Sequence, residues 1–439
     1  MRPIAALSVH SDDLVLAKVD PKSAWWRWYI VGVCFVLAVG IFLRLPPGEF
    51  SKSGLLHSIA PFHPAPAFAQ IGFDEHLYCE YVNALISGGI SSYPDMVEDY
   101  VAVQKESRTA MLPPLRFLYI FAAYIWHGLF GSEALAALHQ VAALFSVLTL
   151  VLATFFAWRL RGPIFGIGVG VLIAFAPTQI HMSQHALIDG FFAFWALVAV
   201  WLLWESLRAP HNWYWTASYG LAVSFLVITK ENSFFVWIGL LALLAANRWL
   251  HFGTVTRELL LVTIAGPLLG VVILVFLAGG LGNLITTYQL LVSRASETPY
   301  AILTGDGPWY RYLVDLFLVS PVIVILAIAA IFRLNRTMKP ELFLTIFIAA
   351  SYIVMCNVKY GMNLRYANMW DMPLRFLAVS SLTQLVTPLR SYRNFALAAG
   401  IAIIAATELR QYYILAVQYP LYELVTHDLM QALHILKSR

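Results

Sequence analysis

The sequence predicts an all-α polytopic membrane protein of about eleven transmembrane helices. Three observations carry that expectation. Of 439 residues, 60% are hydrophobic and only 12% are charged, against about 25% charged in soluble domains. Mean hydropathy is +0.73, and many apolar runs approach the ~20 residues that cross a hydrocarbon core. Finally, Lys and Arg in the short loops fall on one side when the runs are counted as crossings, as the positive-inside rule expects.

The elements follow in order. Residues 1–25 are polar, carry Lys18 and Lys22, and read as a cytoplasmic segment. A first span runs from about Trp26 to Leu43. Ala67-Phe68-Ala69-Gln70 resembles a signal-peptidase site, but it lies far beyond the apolar stretch it would have to follow, so that span is kept as an anchor. A long polar loop, 44–133, comes next. Further apolar runs cover 134–157, 162–178, 189–205, 213–229, 233–250, 258–280, 313–332, 341–356, 371–387 and 395–415, and 416–439 form a short tail. The run 115–130 would reach only about 24 Å as a helix and carries Arg116 and His127. If it does not cross, Arg159/Arg161, Arg208, Arg248/Arg257, Arg333/Arg336/Lys339 and Arg390/Arg393 all share the side of the N-terminus. It is therefore read as an in-plane or re-entrant helix of the outer loop. Eleven crossings then place the N-terminus inside and the C-terminus outside.

Several functions lose ground at this stage. A net charge of +4 gives no case for nucleic acid. Cys34, Cys79 and Cys356 form no CxxC, so neither a disulfide framework nor a thiolate metal site follows. A transporter needs ionisable groups near the membrane midplane, and few are found there. The polar residues gather instead on the outer face.

Five outer segments carry candidate chemistry. Asp74-Glu75 opens a stretch in which Leu77, Tyr81 and Leu85, and likewise Tyr78, Val82 and Ile86, recur every four residues. That spacing predicts a surface helix lying apolar side down on the membrane, stopped by Gly88-Gly89. On spacing alone Asp74 reads as a helix cap at least as readily as a base. Pro113-Pro114 reads as a rigid entry to the 115–130 helix, or as an ordinary junction. In the turn from Pro177 to Asp189, His181 and His185 have a metal-compatible spacing without a third ligand nearby, and Asp189 reads first as a cap. Thr229-Lys230-Glu231 is either a neutral ion pair at a hairpin tip or a contact to an anion. The loop Asn357–Tyr366 is cation-rich for an outer loop; Arg365 beside Tyr366 suits a phosphate headgroup, with generic lipid anchoring as the plainer reading.

In order, these pieces resemble the GT-C glycosyltransferases that use polyprenyl-phosphate sugars, and most closely the protein O-mannosyltransferase and aminoarabinose transferase branch. The matching residues are Asp74-Glu75 with Tyr78 and Gly88, Pro113-Pro114-Leu115, Phe130-Gly131, Pro177 with Ser183 and Asp189, Phe191-Phe192, Gly220 with Thr229-Lys230, and Arg365-Tyr366 leading to Pro373. The resemblance implies a GT-C-like bundle over 26–415. It implies a polyprenyl-phosphate-linked sugar donor and a lipid, glycan or protein acceptor. Asp74 falls where that family has its general base, with Glu75 beside it. Arg365, and after it Lys230, fall near the carrier phosphate; Tyr366, Asp189, His139 and Tyr78 complete the candidate substrate-binding set. No cofactor is required on this reading, and a divalent metal is left open. Two departures stand out: His139 where members often have Arg, and Leu112 where they often have His or Lys before the proline pair. The family context suggests a bacterial inner membrane. A non-catalytic GT-C-like subunit and a lipid or solute transporter are the alternatives.

Overall fold

The computed structural model describes residues 24–45 and 72–419. The N-terminal lysines, Ala67–Gln70 and nearly all of the 416–439 tail lie outside these residues. The described chain is helical, with no strand among the described residues. Each apolar run found in the sequence forms helix. α1 is Ala24–Arg44, α2 Phe73–Gly88, α3 Tyr93–Glu106, α4 Phe117–Phe130, α5 Ala134–Arg161, α6 Pro163–Ala174 and α7 Pro177–Gln184. Then come α8 Ile188–Arg208, α9 Trp213–Thr229, α10 Ser233–Leu250, α11 Arg257–Leu277, α12 Leu281–Ala295 and α13 Pro299–Gly305. The chain continues through α14 Arg311–Val319, α15 Pro321–Ile331, α16 Lys339–Met355, α17 Asp371–Val386 and α18 Arg393–Tyr412.

Among the described residues, five helical stretches are long and apolar enough to cross a membrane, or six if α6 and α7, bent by 54°, form one broken span. Two of the expected spans are interrupted. The 162–178 run ends as α6 and restarts as α7 at Pro177, and the 313–332 run breaks at Ser320-Pro321. Proline has no N–H to continue a helix but is accommodated in its first turn. The break after α6 leaves carbonyls that a bilayer cannot hydrate. Two buried arginines meet them: Arg44 donates to the carbonyls of Ile173 (2.7 Å) and Ala174 (3.0 Å), and Arg375 to that of Leu172 (3.0 Å).

At one end of the bundle Arg159 pairs with Glu205 and Arg161 with Glu341, while Lys339 donates to the carbonyl of His251. These are the loops assigned to the inner side. The outer-loop helices gather at the other end. There α2 is capped as expected, its Gly89 taking φ 69° and donating to Leu85 at 2.8 Å. One expectation is corrected: the apolar face of α2 does not lie on lipid. Tyr78, Val82 and Leu85 are fully buried, in a cluster with Tyr119 and Ile120 of α4 and Ala137 and Leu138 of α5. A face that broad is hidden better by two helices than by a bilayer edge. The short α4, fourteen residues long, supplies half of that cover.

Three tyrosines hold the segment leading into α4. Tyr100 donates to the Met111 carbonyl (2.9 Å), Tyr81 to Leu112 (2.7 Å) and Tyr93 to Pro114. Pro113 and Pro114 offer carbonyls but no N–H, so this entry, which turns at Pro114-Leu115, takes donors brought from elsewhere.

Candidate active site

Asp74 and Glu75 begin the same helix but do different work. Glu75 is the capping residue: Oε2 accepts the Gly72 N–H at 2.7 Å, as a carboxylate three positions past the N-cap can. Its other oxygen accepts the Ala186 N–H at 2.7 Å and lies 3.6 Å from His139 Nε2 and 3.7 Å from His185 Nδ1. Burial alone would raise its pKa; the His185 contact and the two amides outweigh it and hold the carboxyl at about 2. Glu75 therefore ties α2 to α5 and to the α7–α8 link. The capping role considered for Asp74 is thus taken by its neighbour.

Asp74, one position earlier and turned to the other side, faces a cleft of about 1520 Å³. Its Oδ2 accepts from Arg365 Nη1 at 3.0 Å. Arg365 stands on a 3-10 helix, Leu364–Trp370, whose preceding residue Asn363 caps it by accepting the Arg365 N–H at 2.9 Å. The guanidinium Nε lies 3.8 Å from Asp189 Oδ2, and the group sits 5.7 Å from the Tyr300 ring.

Behind this pair, Lys230 Nζ contacts Asp189 Oδ1 and lies 4.0 Å over the Tyr366 ring. The helix ends favour this arrangement: Lys230 follows the C-terminus of α9 and Asp189 lies in the first turn of α8. Asp189 is not the cap of α8, and Lys230 does not pair with Glu231. Glu231 pairs instead with Arg116, the residue just before α4, whose Nε donates at 3.3 Å. Arg116 Nη1 also donates to the Tyr78 hydroxyl at 2.7 Å. Burial would raise the Glu231 carboxyl, and Arg116 more than offsets this, keeping it low.

All eight residues singled out in the sequence meet here. Asp74, Glu75, Arg365 and Tyr366 line the cleft, and His139 supports Glu75 from behind at 3.6 Å. Three further residues went unassigned. Arg116 showed only as a charge interrupting an apolar run, yet it brings a third cation to the site. Glu231 was read with the wrong partner. Tyr300 gave no signal, because its place depends on how α12 and α13 return over the cleft. His181 and His185 lie with ring centroids 4.4 Å apart and planes tilted by 55°, and no group of three or more His, Cys, Asp or Glu suited to a metal occurs among the described residues.

The chemistry of the arrangement is narrow. Asp74, Glu75 and Glu231 line the cleft beside Arg365 and Arg116 at the end of an apolar bundle. Glu75 is engaged by two backbone amides and Glu231 by Arg116, which leaves Asp74 as the carboxylate facing the cleft with Arg365 alone. A hydroxyl placed at Asp74 could lose its proton there, and a phosphate could exchange for the carboxylates on Arg365, Lys230 or Arg116.

Comparison with known proteins bears on the fold. Residues 127–282 match the family described as dolichyl-phosphate-mannose-protein mannosyltransferase. No curated protein matches the chain in sequence. Among solved structures, ArnT from Cupriavidus metallidurans in the apo state superposes with a TM-score of 0.53 at 14% identity, over 92% of this chain and 78% of ArnT. The same protein bound to undecaprenyl phosphate gives 0.51 at 14% identity, over 92% and 77%. The Archaeoglobus fulgidus oligosaccharyltransferase AglB, in complex with an inhibitory peptide and a dolichol-phosphate, gives 0.57 at 16% identity, over 90% of this chain and 56% of that one. The chain thus spans little more than half of the oligosaccharyltransferase. The GT-C fold expected from the sequence is the fold observed.

Proposed function

We propose that this chain is an integral-membrane glycosyltransferase that moves a sugar from a polyprenyl phosphate to an acceptor hydroxyl at the outer face of the membrane. One observation carries the reading: Asp74 opens onto a large cleft in direct contact with Arg365, with Lys230 and Arg116 close behind. The likeness to proteins solved with undecaprenyl phosphate and dolichol-phosphate supports a donor of that class.

In this reading Asp74 accepts the proton of the acceptor hydroxyl as its oxygen attacks the anomeric carbon. The bond from that carbon to the phosphate oxygen breaks, and polyprenyl phosphate leaves with the electron pair. Arg365 and Lys230, with Arg116, meet the charge that grows on the phosphate. A single displacement inverts the anomeric centre. The alternative, a covalent intermediate on a second carboxylate, finds no support in Glu75, whose two oxygens are each engaged by a backbone amide. Fixed cations serve as the counter-charge, so the reading calls for no cofactor. The sugar is left as hexosyl or pentosyl, and the acceptor as a lipid, glycan or protein. The outer face corresponds to the periplasm of a bacterial inner membrane on the family resemblance, and the charge distribution of the loops says which face is outer.

The test is transfer from radiolabelled polyprenyl-phosphate sugars in membranes carrying the wild-type chain or Asp74→Asn. Label should move to an acceptor only with the wild type. Equal transfer by both proteins would remove Asp74 from the base role.

A further inference from the structure

Below the cleft a second set of polar groups runs into the membrane domain, and the proposed reaction uses none of it. The 3-10 helix that carries Arg365 is seven residues long, whereas such helices rarely exceed four. With three residues per turn, side chains three apart stack on one face. Arg365, Asn368 and, at the first residue of α17, Asp371 therefore form one column, with Arg365 at its cleft end.

Gln179 of α7 faces this column. Its Nε2 donates to Asn368 Oδ1 and, at 2.9 Å, to Asp371 Oδ2. Gln179, Asn368 and Asp371 are 1%, 3% and 4% exposed, so each hydrogen bond lost here would leave a buried group without water to replace it. The anchor is itself held. Gln179's carbonyl accepts from Ser146, and Ser146 from Arg44 at 3.0 Å. Asp371 contacts Arg375, which reaches Glu408 and the Leu172 carbonyl. The arginines that close the break between α6 and α7 are thus the same ones that brace both ends of the Gln179–Asn368–Asp371 link.

We propose that Asn368, gripped by Gln179, is a positioning residue that sets the reach of Arg365 into the cleft. The proposal rests on the reading of Arg365 as a contact to the donor phosphate. An extended 3-10 turn is a poor helix by itself, and without this link the turn would relax toward α-helical winding. That change rotates Arg365 away from Asp74.

The test is a double-mutant cycle on the full-length protein with a polyprenyl-phosphate sugar as donor. Asn368→Leu removes the acceptor, and Asn368→Ser keeps one on the same face. Asn368→Leu should lower kcat/KM by about tenfold, and Asn368→Ser should recover most of it. On an Arg365→Ala background, Asn368→Leu should cause no further loss. Hydrogen exchange across 362–371 should rise in Asn368→Leu and not in Asn368→Ser. An equal loss on both backgrounds, or unchanged exchange, would overturn the proposal and leave Asn368 a packing residue. Full activity of Arg365→Ala alone would overturn the reading of Arg365 on which the proposal stands, and that single variant is read apart from the cycle.

Discussion

Arg365 and Asp74, 291 positions apart, meet at 3.0 Å, and this contact organises the outer end of the molecule. The pair joins the first outer helix to the last outer loop. It also answers one departure from the family pattern. His139, named in the sequence as a departure from the resembled pattern, packs 3.6 Å from Glu75, while the basic partner of Asp74 arrives from another part of the chain.

Replacing Asp74 by Asn preserves shape and removes the base. A positioned general base contributes about 10²–10⁴-fold, so Asp74→Asn should lower kcat by at least about a hundredfold. Donor affinity should hold or improve, because Arg365 loses the carboxylate that competes with phosphate. The check is kcat against KM for the donor, with binding of undecaprenyl phosphate measured separately. A fall in donor affinity with kcat intact would point to a binding role.

Much of this site was legible in the sequence because its residues break local expectation. Asp74, Lys230 and Arg365 are charges beside apolar helices, where an unused charge is costly, and their loops all face the same way. Pairing was not legible. Lys230 and Glu231 are adjacent, which invited a local ion pair, yet the turn between α9 and α10 points them to Asp189 and Arg116. The cover over α2 was missed for a related reason: periodicity locates an apolar face but does not say whether protein or lipid meets it. Arg116 shows in the sequence only as a charge within the apolar run 115–130, and its chemistry depends on Tyr78 and Glu231, distant in sequence.

The Lys230–Asp189 pair gives a stability test. Both side chains are nearly inaccessible. Removing one partner of such a pair costs about 3–5 kcal/mol, because the other charge is left stranded. Lys230→Met should be the milder change, since Asp189 keeps Arg365 at 3.8 Å. Asp189→Leu should be worse, leaving Lys230 with no carboxylate contact among the described residues. The double variant should regain part of the loss. Thermal unfolding in detergent orders the three; equal effects from the two single changes would contradict the geometry.

Fixed cations in place of a metal predict indifference to chelation. If Arg365, Lys230 and Arg116 carry the leaving phosphate's charge, EDTA should change the transfer rate by less than about twofold, with no stimulation by added Mg²⁺ or Mn²⁺. Arg116→Ala should then weaken donor use more than any metal treatment. Loss of activity in EDTA, restored by one divalent ion, would replace this assignment with a metal-assisted one.

Glu75 predicts a pH dependence of stability rather than of rate. Its carboxyl is held at about 2 in the folded protein, against 4.5 ordinarily. The folded value is the lower one, so the stabilisation is present in full above about 4.5 and is lost as pH falls through 2. A drop of that size corresponds to about 3 kcal/mol. Glu75→Gln removes the charge that holds the Gly72 and Ala186 amides near His185, so its unfolding temperature should be lower at pH 7. Between pH 5 and 2 the two proteins should converge, because the wild type gives up what the variant never had. Unfolding followed by intrinsic tryptophan fluorescence across that range provides the comparison. Parallel curves, with the gap unchanged at pH 2, would mean that Glu75 acts through its shape and not through its charge.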